Sequence, residues 1–154
     1  MTIPQIQLGT RKVGESEAFE AIPFALQTGY RGFDSAQMYG NESYIGSVIN
    51  SFVGGGPGSN GLERKDIFYT TKLEANSTDY EKVRSSIKKS VEDSGLGYVD
   101  LFLLHSPNGG KEARLTSWKA LEDAVKDGEV KSAGVSNFGV RHVRIIIHAH
   151  EPMI

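Results

Sequence analysis

The sequence predicts an α/β chain built on one parallel sheet, and three observations carry that expectation. Strand-like apolar runs alternate with amphipathic helical stretches five times, at spacings of roughly 30 residues, the rhythm of strand-helix-strand units with sequential strand order. One run, from Tyr98 to His105, is nearly continuous in Val, Leu and Phe, as a strand covered by helices on both faces would be. Asp34, Lys72, His105 and Ser136 each close or follow such a run, on the rim where ligands bind in parallel folds. The 154 residues form one domain's worth of chain, with no internal repeat and no second domain.

Ile6, Leu8 and the Gly9-Thr10 turn read as a first short strand and its loop. The segment from Ser16 to Thr28 sets Phe19, Ile22, Ala25 and Leu26 at helical spacing and stops at Gly29. Pro23 lies inside it, and an interior proline costs roughly 3 kcal/mol. This helix is therefore expected to kink or to begin late. Tyr30 to Asp34 is the second strand, and Asn41 is the N-cap candidate of a helix with Tyr44, Ile45, Val48, Ile49 and Phe52 on its apolar face.

Residues 54–61, GGGPGSNG, read as a flexible surface loop and not a phosphate cradle, because no helix start or Lys-Ser/Thr pair follows. Asp66 to Lys72 is the third strand. A capping box, Thr78 to Glu81, opens the next helix, with Tyr80, Val83, Ile87 and Val91 inward and Gly95 as its stop. After the fourth strand, Leu115, Trp118, Leu121 and Val125 mark a helix closed by Gly128. Val130 to Val135 is the fifth strand, and a last helix begins at Val140.

A net charge of −2, from 17 basic and 19 acidic residues spread along the chain, gives no pull towards nucleic acid or an anionic membrane. Without cysteine there is no disulfide, thiolate metal site or cysteine nucleophile. His142, His148 and His150 share no helical face, so no metal site is expected. The N-terminal MTIPQIQLGT has neither a basic nor a continuous apolar stretch, so a cytoplasmic protein is expected.

The stretch Arg31 to Glu42, RGFDSAQMYGNE, joins a strand ending on Asp34 to a turn carrying Tyr39 and a helix start. Together with Lys72, His105 and GVSNF at 134–138, it resembles the aldo-keto reductases, in particular the fungal and yeast NADP-dependent carbonyl reductases. The resemblance covers Ile3 to about His142. It implies a partial (β/α)8 TIM barrel of about five sequential parallel strands with covering helices. A full barrel needs about 250 residues, so residues 1–154 are expected to form a single incomplete domain lacking the sixth to eighth units.

What the resemblance implies for chemistry is specific. Tyr39 would donate the proton in reducing an aldehyde or ketone to an alcohol, Lys72 would favour the phenolate, and Asp34 would hold Lys72. His105 would orient the substrate carbonyl. NADP(H) would supply hydride, with Ser136 and Asn137 on the nicotinamide carboxamide and Gly9, Thr10 and Asp34 towards its ribose. Arg11 stands where many members carry a bulky aromatic. Each residue also has a plain structural reading: Asp34 as a turn former, Tyr39 as a half-buried aromatic, Lys72 as a surface lysine, His105 as a core histidine. The alternative function is an inactive relative that self-associates or binds a partner through open sheet edges.

Overall fold

The computed structural model describes residues 2–53 and 61–149. The expected loop at 54–61 therefore lies, save for Gly61, outside the described residues, as does His150. Ten main elements alternate: β1 (Leu8–Gly9), α1 (Glu15–Gln27), β2 (Gly32–Asp34), α2 (Glu42–Phe52), β3 (Phe68–Leu73), α3 (Tyr80–Ser94), β4 (Val99–Leu104), α4 (Gly110–Lys126), β5 (Val130–Val135) and α5 (Val140–His148). Single 3-10 turns stand before α2, at Gln37–Tyr39, and before β3, at Arg64–Asp66.

The five strands form one sheet in chain order, every neighbouring pair parallel, as expected. Parallel register sets Asp34 beside Thr70 and Lys72 beside Leu103, while Leu104 is beside Val135. The chemically able residues therefore arrive together at the C-terminal ends of β2, β3, β4 and β5. Between sheet and helices lies a core of Phe33, Tyr69, Leu73, Phe102 and Leu104 against Ile22, Ile45, Ile49, Val83, Ile87 and Leu121. Asp100, the one charge in the fourth apolar run, is buried and accepts from Arg64 at 2.7 Å and from the Tyr69 amide at 2.9 Å, which satisfies a carboxylate removed from water.

Several local expectations change. Helix α1 starts at Glu15 and continues through Pro23. The proline is half-exposed, so water can serve the Phe19 carbonyl that it leaves without a donor. Phe19 is exposed, because the buried stripe of α1 is Ala18, Ile22, Ala25 and Leu26, one position away. Asp79, not Thr78, caps α3, accepting from the Lys82 amide at 3.0 Å. In α4 the buried face is mostly small, with Ala113, Ser117, Ala120 and Ala124 around Leu121, while Leu115, Trp118 and Val125 are half-buried. Among the described residues, no helix is long and apolar enough to cross a membrane.

Candidate active site

Alternate residues of a strand share a face, so Lys72 lies on the side of β3 that Thr70 occupies, and Thr70 neighbours Asp34. The Lys72 ammonium reaches back to β2, where it donates to Asp34 Oδ1 and, at 2.8 Å, to the Ser35 carbonyl. Lys72 is only 6 % exposed. An ammonium this far out of water needs partners, and these two acceptors meet the need. Asp34 is half-exposed, and among the described residues Lys72 alone bonds its carboxylate.

The 3-10 turn Gln37–Tyr39 brings Tyr39 over this pair, with Lys72 Nζ 5.3 Å from the centre of the phenol ring. His105 follows the last residue of β4. Its ring meets Tyr39 edge-on, with centroids 5.9 Å apart and planes at 81°. His105 Nδ1 is sealed from solvent and has no partner among the described residues, whereas Nε2 is not sealed. Burial first, then the positive charge of Lys72 and more weakly of Arg11, push the imidazole below its ordinary range, with Asp34 opposing. Both effects favour the uncharged ring.

Beyond β5, the Ser136 amide donates to Leu104 O at 2.9 Å. Asn137 takes a left-handed backbone, φ 60°, a conformation asparagine tolerates better than most residues. From there its Nδ2 donates to His105 O at 2.8 Å and to Ser136 Oγ at 3.0 Å. Among the described residues nothing claims the Ser136 hydroxyl proton or Asn137 Oδ1. One donor beside one acceptor is the complement of a primary carboxamide, so this pair fits the nicotinamide amide.

Asp34, Tyr39, Lys72 and His105 thus share one end of the sheet, and Asn137 ties the next strand end to His105. Gly9 is exposed beside Asp34 in register. Thr10 is fully buried, its hydroxyl donating to Asp34 O at 3.2 Å, so its side chain is spent on holding β2.

The supporting residues escaped the sequence reading. Asn41 holds the N-cap position of α2 but does not cap it. Its Oδ1 accepts from Ser35 Oγ at 2.7 Å, and its Nδ2 donates to Thr10 O at 2.7 Å. Gln37 accepts the Glu74 amide at 2.8 Å, and its Nε2 lies 2.9 Å from the Ser86 and Ser90 hydroxyls, fixing the turn of Tyr39 against α3. The available signal was a run of short polar residues between a strand end and a helix.

Comparison with known proteins gives one answer. A model described as Aldo/keto reductase family matches residues 5–153. An uncharacterized oxidoreductase of Schizosaccharomyces pombe is 44 % identical over 151 residues, covering 98 % of this chain and 52 % of its own length. One of Saccharomyces cerevisiae is 39 % identical, with 99 % and 55 % covered. The chain spans about half the length of these curated relatives. Among solved structures, an aldo/keto reductase from Brucella melitensis superposes with a TM-score of 0.84 at 38 % identity, covering 96 % of this chain and 55 % of that one. Aldose reductase from Giardia lamblia gives 0.85 at 29 % identity, covering 96 % and 54 %. With the family match, the relatives' identities and the sheet order in agreement, the chain belongs to the aldo/keto reductase family, and its five-stranded sheet is a partial form of that family's barrel.

Proposed function

We propose that this chain carries the catalytic rim of an NADP(H)-dependent oxidoreductase that reduces small aldehydes or ketones to alcohols. The observation that carries the reading is the Lys72 ammonium, held by Asp34 and the Ser35 carbonyl, 5.3 Å from the Tyr39 ring centre. Tyr39 donates its hydroxyl proton to the carbonyl oxygen while the carbonyl carbon gains hydride. The nearby ammonium stabilises the phenolate left behind, and Asp34 keeps that ammonium in place. His105, neutral and with Nε2 accessible, donates a hydrogen bond to the same oxygen and steadies its developing charge. Ser136 and Asn137 grip the carboxamide, fixing the face presented to the substrate. When bound, the reduced nicotinamide supplies the hydride.

The test is NADPH oxidation by the purified protein with a small aldehyde, compared with Tyr39→Phe. Loss of the proton donor lowers turnover by about 100-fold or more. Equal turnover by the two proteins would sink this reading.

A second reading, an inactive relative that self-associates, draws support from a separate observation. Among the described residues β1 pairs only with β2 and β5 only with β4. The helices that follow these two strands expose Phe19 and Phe24 on α1, and Val140 and Ile147 on α5. Uncovered apolar faces next to open edges favour association. Sedimentation over a range of protein concentrations separates the two readings: a constant monomer mass argues against self-association, whatever the turnover.

A further inference from the structure

We propose, resting on the reductase reading above, that Arg11 makes this site selective for carbonyl substrates that carry a carboxylate. The residue stands on a built pedestal. Thr10, directly before it, is buried and bonds Asp34 O through both its amide, at 2.9 Å, and its hydroxyl. Thr10 O in turn accepts from Asn41 Nδ2 at 2.7 Å and from the Val13 amide at 3.1 Å. Val13 O accepts from the Tyr44 hydroxyl at 2.8 Å. Between these anchors Lys12 has a left-handed backbone, φ 64°, which an unbranched lysine adopts only where its surroundings impose it. The turn is therefore fixed beside Asp34.

Its guanidinium, by contrast, is unclaimed. Arg31, Arg64, Arg84 and Arg114 all donate to carbonyls or carboxylates of the protein. Arg11 is exposed and, among the described residues, has no hydrogen bond or ion pair. Among the described residues Arg141 and Arg144 are likewise unpaired, but they belong to α5, which follows β5, at the other end of the strand order from β1. Lys72 is paired with Asp34, whereas the Arg11 guanidinium adds an unpaired positive charge beside that pair. Its position ties it to the site, because Thr10, the residue before it, bonds Asp34 O through amide and hydroxyl; the weak effect of its charge on the His105 ring agrees with that placement. A substrate whose carbonyl meets Tyr39 and His105 and whose carboxylate meets Arg11 gains a charge-assisted, bidentate contact that a neutral analogue lacks.

The experiment compares 4-carboxybenzaldehyde with its neutral methyl ester, methyl 4-formylbenzoate, as NADPH-dependent substrates of the protein and of Arg11→Gln and Arg11→Lys. The ratio of kcat/KM, acid over ester, falls about tenfold in Arg11→Gln, the loss expected for one charge-assisted hydrogen bond, and recovers in part in Arg11→Lys. An unchanged ratio, or a loss confined to NADPH affinity, overturns the proposal. Binding is followed in parallel through the His105 imidazole NMR signals. If neither compound is turned over, the reductase reading fails by itself and the NMR titration decides the carboxylate question. Saturable shifts with the acid but not the ester, lost in Arg11→Gln, sustain the role of Arg11; shifts indifferent to Arg11, or none with the acid, overturn it.

Discussion

The carbonyl of Ser35 that accepts from Lys72 at 2.8 Å belongs to a residue whose side chain is itself locked by Asn41, with Ser35 Oγ 2.7 Å from Asn41 Oδ1. The placement of the ammonium thus depends on a side chain that touches neither Lys72 nor Tyr39 in any hydrogen bond. Asn41→Ala removes the acceptor of the buried Ser35 hydroxyl and one of the two donors to Thr10 O, which keeps the Val13 amide. Leaving the Ser35 hydroxyl without its acceptor costs about 1–3 kcal/mol, and urea unfolding is expected to show a loss of that order. Ser35→Ala, which leaves the Thr10 bond intact, should cost less than Asn41→Ala.

Lys72 also acts on the protonation of its neighbour across the rim. Its positive charge is second only to burial in holding the His105 imidazole below its ordinary range, and Asp34 acts in the opposite sense. Lys72→Met removes the first and leaves the second, so the histidine pKa must rise. NMR titration of the ring protons measures this directly. A value unmoved by the substitution would mean that Lys72 does not act on the ring.

How much of this was legible follows physical lines. The strand-end residues could be read because strand periodicity and parallel pairing carry Asp34, Lys72, His105 and Ser136 to one edge, whatever the details between. The supporting layer could not. Asn41 sits where a helix N-cap is statistically favoured, yet three-dimensional proximity turned its amide towards Ser35 and Thr10 instead. The same holds for Phe19, whose spacing suits the core but which misses the buried stripe of α1 by one position. Such choices are made by partners distant in sequence, and a local pattern does not contain them.

Glu42, the first residue of α2, is a buried carboxylate that accepts from Thr71 Oγ1 at 2.5 Å and from Ser90 Oγ at 3.1 Å. Burial lifts its pKa above the ordinary 4.5, and the two hydroxyls offset only part of that lift. A raised folded value means that this group's stabilising contribution is complete below 4.5 and is lost as the pH climbs through the folded value. Glutamine does not titrate. In denaturant unfolding at several pH values, the stability of Glu42→Gln relative to the native protein should therefore improve as pH rises across this window. A difference that stays constant with pH would show that the folded carboxyl titrates as it does in the unfolded chain.

Gly46 offers a sharper test of the packing behind Tyr39, because two known effects predict opposite signs. In an isolated helix, replacing glycine by alanine stabilises by up to about 1 kcal/mol. In α2, however, a Cβ at position 46 would fall 1.8 Å from Ser94 O, 2.6 Å from Ser94 C and 2.8 Å from its Cα. Those are backbone atoms at the end of α3, so no side chain can turn aside and the two helices must part. One turn later, Asn50 Nδ2 donates to Gly95 O at 2.8 Å and holds the same junction closed. Overpacking of this kind costs about 3 kcal/mol or more and outweighs the gain in helix propensity. Gly46→Ala is expected to unfold at clearly lower denaturant concentration, and because α3 carries the Ser86 and Ser90 partners of Gln37, separation of the helices should also loosen the turn of Tyr39. A variant as stable as the native protein would require α2 and α3 to lie farther apart at this crossing than the contact between Gly46 and Ser94 allows.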